Sequence, residues 1–248
     1  MDQLEGQQSV LAALQARQRR FQIILLSTGA HEEKLQEVLG EASAQNIPIR
    51  RADPKELDAM AHGRSHGGLI ALCSPKPRMA VKDLLAMVDS LKEPAMLLLL
   101  EGVDDARNLA FTLRSAEALG AHAVLIKKHL WDFDTTDVAR SSSGAYERLP
   151  LVQIEDIGPL QQLQKRGLQL YGCLANVNRT VYNMDLRQPI ILAIGGEKRG
   201  LSGAVRDICD QFITIPTLPG AASLSLSHAA AICLAEAHRQ RISINPQS

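Results

Sequence analysis

Short apolar runs alternate with stretches of helical periodicity along most of the chain. FQIILL (21–26) is a continuous apolar run closed by Ser-Thr-Gly, which predicts a buried strand. HEEKLQEVLGEASAQN (31–46) repeats apolar residues at Leu35, Val38 and Leu39 and predicts a helix. IPIR follows as a brief strand. DPKELDAMA (53–61) then opens with Asp53 as N-cap, Pro54 in the first helical position and Glu56 three residues after the cap. GGLIALC (67–73) reads as another strand, and SPKPRMA (74–80), with two prolines and no periodicity, as a linker.

Beyond the linker the elements lengthen. Helices are predicted over VKDLLAMVDSL, 108–120, 156–166, LSGAVRDIC and 224–239. Strands are predicted over AMLLLL (95–100), HAVLI (122–126), LQLYGC (168–173), PIILAIGG (189–196) and FITIP. Uninterrupted apolar strands separated by helices imply a parallel sheet covered on both faces, so the fold class is α/β. Ligands of such sheets bind beyond the carboxyl ends of the strands. The expected division is a small α/β domain over 1–75, a linker with the first helix over 76–92, and a larger domain over 93–248.

The 248 residues are enough for one large or two small domains. Aromatic residues make up only 3%, which argues against binding through stacked aromatic platforms. The 27 basic residues balance the 27 acidic ones, so nucleic-acid binding has to come from local patches. Arg17, Arg19 and Arg20, then Arg50 and Arg51, then Lys76 and Arg78 form three such clusters; each alone reads as solvated surface charge. The cysteines at 73, 173, 209 and 233 form no CxxC pair, so no metal site is expected and a reducing compartment is. With no signal-peptide core and no run long enough to span a bilayer, a cytoplasmic protein without membrane contact is expected.

Three loops after strands carry unusual residues. EGVDDARNLAFTLR (101–114) places Asn108 in an N-cap position and Arg114 two turns on, on the face of Ala110. A capped helix with a solvated charge and a working site are equally good readings of this loop. IGGEKRGLS (194–202) runs from a strand into Gly195, Gly196 and Glu197, glycines that would let a ligand approach the backbone. Its spacing fits neither a dinucleotide fingerprint nor a P-loop, since Leu201 stands where a P-loop needs Lys. IPTLPGAASLSLSHAAA (215–231) brings Ser223, Ser225 and Ser227 to the start of an Ala-rich helix. No G-x-S-x-G elbow is present, and His228 reads as a helix residue rather than a base.

The order of these loops is more specific than any one of them. An N-x-x-x-x-x-R helix start, a G-x-E-x-x-G-L strand exit and an I-P…S-L-x-x-S helix start together resemble the three motifs of the SpoU/TrmH RNA ribose 2′-O-methyltransferases, in the SPOUT superfamily. The likeness covers roughly 95–240. Ahead of it, LEGQQSVLAAL (4–14) and HGGLIAL resemble the opening and closing of the family's substrate-binding domain.

The resemblance implies a SPOUT domain with a C-terminal trefoil knot, preceded by a small α/β RNA substrate-binding domain. It further implies a homodimer, S-adenosylmethionine as cofactor, and methyl transfer to a ribose 2′-hydroxyl of structured RNA. Ribosomal RNA is expected before transfer RNA. By position, Gly195, Gly196, Ile215 and Leu224 would hold the cofactor, and Asn108, Arg114, Glu197, Ser223 and Ser225 would form the catalytic set. A guanidinium is effectively never deprotonated, so Arg114 is expected to stabilise negative charge, with Asn108 and Glu197 holding it. Two positions depart from the family pattern. Ala110 stands where Gly is usual and Ser225 where Asn is usual, which leaves a non-catalytic RNA-binding relative as the alternative.

Overall fold

The structure is a computed structural model that describes residues 1–62, 66–127 and 134–242. It divides into two units: Met1–Pro77 with Phe133–Arg148, and Arg78–Asp132 with Leu149–Ser248. Among the described residues no helix is long and apolar enough to cross a membrane.

The first unit is built on β1 (Asp2–Glu5), β2 (Phe21–Ser27), β3 (Ile49–Ala52) and β4 (Leu69–Cys73), in the order β1-β4-β2-β3. Strand β3 runs parallel to β2, while β4 is antiparallel to both β1 and β2. Helices α1 (Gln7–Ala16), α2 (Gln36–Ala44) and α3 (Pro54–Met60) accompany them. A 3₁₀ turn at Glu32–Leu35 takes the start of the helix expected over 31–46. Asp53 caps α3 as expected, its carboxylate accepting from the Lys55 N–H at 2.8 Å. Glu56, however, pairs with Arg50 at 2.6 Å instead of closing a capping box.

Two short helices from far along the chain, α6 (Thr135–Ser141) and α7 (Ala145–Arg148), pack in this unit against β1 and α1. Residues 134–148, expected in the larger domain, thus lie with the smaller one. A buried ion cluster ties them in. Arg19 donates through Nε and Nη2 to the two carboxylate oxygens of Glu147, both at 2.8 Å, and through Nη1 to Asp2 at 2.7 Å. Burial alone would weaken its hold on the proton; Glu147 and Asp2 more than reverse this and keep the guanidinium charged. The reading of Arg19 and Lys76 as solvated charge is therefore corrected. Both are buried, and the Lys76 ammonium donates to the Tyr146 carbonyl.

The second unit holds a six-stranded, wholly parallel sheet. Its strands are β5 (Met96–Glu101), β6 (Ala123–Lys127), β7 (Leu151–Ile154), β8 (Gln169–Cys173), β9 (Ile190–Gly195) and β10 (Gln211–Ile213), ordered β10-β8-β9-β5-β6-β7. Every residue of β5 is buried. Leu97 and Leu99 point into a core shared with Leu84 and Leu85 of α4 (Val81–Ser90), Leu160 and Leu163 of α8 (Gly158–Gln164) and Val205 of α9 (Gly203–Asp207). The alternating Leu98 and Leu100 face the other side. There α5 (Ala106–Ala118) and α10 (Leu226–Ile242) pack on each other, and α10 packs on β9.

The register brings the carboxyl ends of the central strands into line. Glu101 is level with Gly195, Ile194 with Cys173, and Cys173 with Ile213. Four strand exits therefore open at one edge.

Candidate active site

At that edge lies a cavity of about 440 Å³. Its walls come from the exits of β8, β9 and β10 and from the start of α10, including Cys173–Val177, Ile194–Glu197, Thr214–Thr217, Ser223, Leu224, Leu226 and Ala229. All four residues expected to hold a cofactor, Gly195, Gly196, Ile215 and Leu224, line it, and so do Glu197 and Ser223. The contribution of the β8 exit (173–177) escaped the sequence reading. Its signal is modest: a loop at the carboxyl end of a parallel strand, with Asn176 held at φ 60.

The glycines at the β9 exit also admit another stretch of backbone. A Cβ on Gly195 would lie 2.7 Å from Gly200 Cα and closer still to the Gly200–Leu201 peptide. One on Gly196 would lie 2.7 Å from the Gly102 carbonyl carbon and would overlap its oxygen. Backbone packs closely on backbone at both glycines, and the Gly196 N–H donates to the Glu101 carbonyl at 2.6 Å.

Behind these contacts, Glu101 is almost wholly buried. It accepts from the Lys127 ammonium at 2.7 Å and from the Ser202 N–H at 2.7 Å. Burial alone would raise its pKa, but the bonds to Lys127 and Ser202 together prevail and hold the carboxyl below its ordinary value. This network ties the ends of β5 and β6 to the start of α9.

Asn108 is not an N-cap. Asp105 caps α5, accepting from the N–H groups of Arg107 and Asn108, both at 2.8 Å. A carboxylate in extended backbone satisfies these free donors, which leaves Asn108 in the first turn with its amide available. That amide joins two of the loops. Nδ2 donates to Glu197 at 3.5 Å, and Oδ1 accepts from the Ser227 hydroxyl at 3.0 Å. Ser225 Oγ lies 3.1 Å from Ser227 Oγ and 2.5 Å from His228 Nδ1. The structure thus brings Asn108, Glu197, Ser225 and Ser227 into one hydrogen-bonded chain at the cavity mouth.

Arg114 stands apart from that chain. It is exposed and makes no hydrogen bond to Asn108 or Glu197, so the expectation that they hold it is not met within this chain. Its surroundings also differ from those of Ala110. Four residues along a helix is a turn plus about 40°, which leaves Ala110 fully buried and carries Arg114 over the edge into solvent. There it joins Arg107 and the half-exposed Phe111.

A parallel α/β domain with a cofactor-sized cavity beyond its strand ends belongs to the class of ligand-binding α/β proteins that carry their site on strand-exit loops. Comparison with known proteins narrows this. Residues 95–235 match the model of the SpoU rRNA methylase family, and residues 3–79 match RNA 2′-O ribose methyltransferase substrate binding. The chain is similar to the 23S rRNA (guanosine-2′-O-)-methyltransferase RlmB of Pseudomonas putida, with 34% identity over 97% of this chain and 98% of that one. The enzyme of the same name from Escherichia coli K12 is 31% identical over 97% of this chain and 99% of its own. In fold it resembles the SpoU methyltransferase AviRb from Streptomyces viridochromogenes, solved with the cofactor AdoMet. The TM-score is 0.81 at 24% identity, covering 97% of this chain and 90% of that one. The chain belongs to the SpoU rRNA methylase family.

Proposed function

We propose that the protein transfers a methyl group from S-adenosylmethionine to a ribose 2′-hydroxyl of ribosomal RNA. The observation that carries this reading is the single cavity edge where Gly195, Gly196, Ile215 and Leu224 meet the Asn108–Glu197 and Asn108–Ser227 bonds. The residues present suit the cofactor. Leu174, Ile194, Ile215 and Leu226 offer apolar walls to an adenine ring, and the Glu197 carboxylate offers a counter-charge to a cation. When bound, the cofactor supplies an electrophilic methyl group on a sulfonium.

The rest falls to the protein. A ribose hydroxyl is a poor nucleophile until its proton leaves, so the site has to stabilise developing negative charge on that oxygen. Arg114 meets this need as a permanent cation, gripping the incipient alkoxide or the neighbouring phosphate. Asn108 holds Glu197 and Ser227 in place, Ser223 lines the cleft, and Ser225 closes the start of α10. The first unit, like the substrate-binding domains it matches, holds the RNA.

The active form is a homodimer in the cytoplasm, with the C-terminal chain threaded as the family's knot. The exposed Phe111, on the same face of α5 as Arg107 and Arg114, supports a subunit contact there. Sedimentation of the purified protein tests the dimer. Methyl transfer to ribosomal RNA tests the activity, and Arg114→Lys tests the role. The variant keeps the charge but loses the planar fork, so its rate is expected to fall at least about tenfold. A wild-type rate in Arg114→Lys would refute the role given to Arg114.

A further inference from the structure

Two thiols meet at the wall of the cavity, although they lie 60 residues apart along the chain. Cys173 is half-buried, ends β8 and lines the cavity. Cys233, fully buried on α10, directs its S–H at the Cys173 sulfur, with the two Sγ atoms 4.0 Å apart. The methyl transfer gives neither sulfur a task. The bond from Cys233 holds the Cys173 thiol below its ordinary pKa, against burial, which alone would raise it. The same bond, together with burial, pushes the Cys233 thiol up. Burial raises the other two cysteines, Cys73 and Cys209, each to about 11, and the Cys209 thiol donates its hydrogen to the Val205 carbonyl. Cys173 is thus the one of the four that most readily becomes a thiolate. It has open space in front of it and a second thiol behind it, the arrangement in which a cysteine reacts with peroxides and is then resolved to a disulfide.

We propose that Cys173 is a site of oxidation by peroxide and Cys233 its resolving partner, the two forming a reversible disulfide that narrows the cofactor cavity. The oxidation needs only the cavity and the two sulfurs; its effect on the cofactor rests on the function given above. Cys173, its proton released to solvent, attacks one oxygen of the peroxide. An S–O bond forms, the O–O bond breaks, and the departing hydroxide takes up a proton to become water. The Cys233 sulfur then attacks the Cys173 sulfenic acid: the S–S bond forms, the S–O bond breaks, and the hydroxyl leaves as water with the Cys233 proton. Each sulfur is oxidised by one electron, and the peroxide takes both. The sulfurs close from 4.0 Å to about 2.05 Å. Cys173 begins the stretch of wall that runs to Val177, and Cys233 lies one turn beyond the cavity-lining Ala229. Their approach therefore draws the β8 wall and the α10 wall together. A bound cofactor covers Cys173 and holds those walls apart, so the empty site is the one that oxidises. A dithiol reductant reverses the change by exchange.

Hydrogen peroxide added to the reduced full-length protein, followed by mass spectrometry, tests this without an activity assay. The protein alone is expected to become lighter by two hydrogen atoms, with the peptides of Cys173 and Cys233 joined and the change reversed by dithiothreitol. S-adenosylmethionine at about ten times its Kd is expected to slow the joining about tenfold by mass action. The joined form is expected to bind S-adenosylmethionine at least about tenfold more weakly in titration calorimetry. In Cys233→Ser, which lacks the resolving thiol, Cys173 is expected to stop at the sulfenic acid and to be labelled by dimedone. The absence of a Cys173–Cys233 peptide from the treated wild-type protein overturns the proposal, as does oxidation that settles on Cys73 or Cys209 instead. Joining at an unchanged rate with the cofactor bound, or unchanged cofactor affinity in the joined form, overturns the link to the cavity. If the reduced wild-type protein binds no S-adenosylmethionine, it is the proposed function that fails, and the peptide map of the protein alone still decides the oxidation site.

Discussion

Replacing Gly196 with alanine tests the close backbone contact between the exits of β5 and β9 that forms part of the cavity wall. The new Cβ would sit 2.7 Å from the Gly102 carbonyl carbon and overlap its oxygen, whereas ordinary contacts begin near 3.4 Å. The obstacle is the backbone of Gly102, so no side chain can swing away. Relieving the overlap with the oxygen would require the exits of β5 and β9 to part by more than about 1 Å, taking the 2.6 Å bond from the Gly196 N–H to the Glu101 carbonyl out of its range. Overpacking of this kind costs about 1–3 kcal/mol and the weakened backbone bond about 1 kcal/mol more. A total near 3 kcal/mol lowers Tm by about 6–12 °C in a chain of this size. The same movement displaces the wall formed by Gly195–Glu197, so S-adenosylmethionine is expected to bind at least about tenfold more weakly by titration calorimetry. Gly203→Ala is the control. It opens α9, has no atom within 4 Å of its added Cβ, and should be neutral or stabilising by up to about 1 kcal/mol. A Gly196→Ala protein melting within about 2 °C of wild type and binding the cofactor normally would refute the reasoning.

The buried charges yield two further outcomes. Glu101 has its folded pKa depressed, so its contribution to stability is complete above the ordinary value of 4.5 and is lost as pH falls from there through the folded value. In guanidinium melts between pH 7 and pH 3, Glu101→Gln should be less stable than wild type at neutral pH and lose less on acidification; parallel curves would contradict the assignment. Arg19→Met strands Glu147 and Asp2 in the interior and should destabilise the protein by about 3–5 kcal/mol, whereas the double change Arg19→Met with Glu147→Leu should recover part of that loss. Additive losses in thermal melts would show that the two side chains do not depend on each other.

The larger sheet was legible because its strands are covered on both faces. AMLLLL, PIILAIGG and LQLYGC have to be apolar throughout, and few other structures tolerate that pattern. Strand β7, only four residues long between Pro150 and Glu155, carried too little pattern to be read, and α6 and α7 lacked a long apolar stripe. The cavity-lining Gly195, Gly196, Ile215 and Leu224 were singled out because three motifs recur in a set order. The β8 exit was missed because Cys173–Val177 has no such motif and becomes part of the wall only through its register with β9.

By itself, the sequence determined most strands and helices of the larger unit and which loops carry polar residues, since periodicity and turn chemistry act over a few neighbours. Only the tertiary structure decided what those residues do for one another. Asp105 takes the cap that Asn108 was expected to fill, and the amide so released meets Glu197, 89 residues away, and Ser227, 119 residues away. Arg19 and Lys76 look like surface charge until α7 encloses them, with partners 128 and 70 residues away along the chain. Gly196 is glycine because of Gly102, a neighbour created only when β9 inserts beside β5. Each of these contacts depends on the path of the backbone through space, which no local pattern of residues encodes.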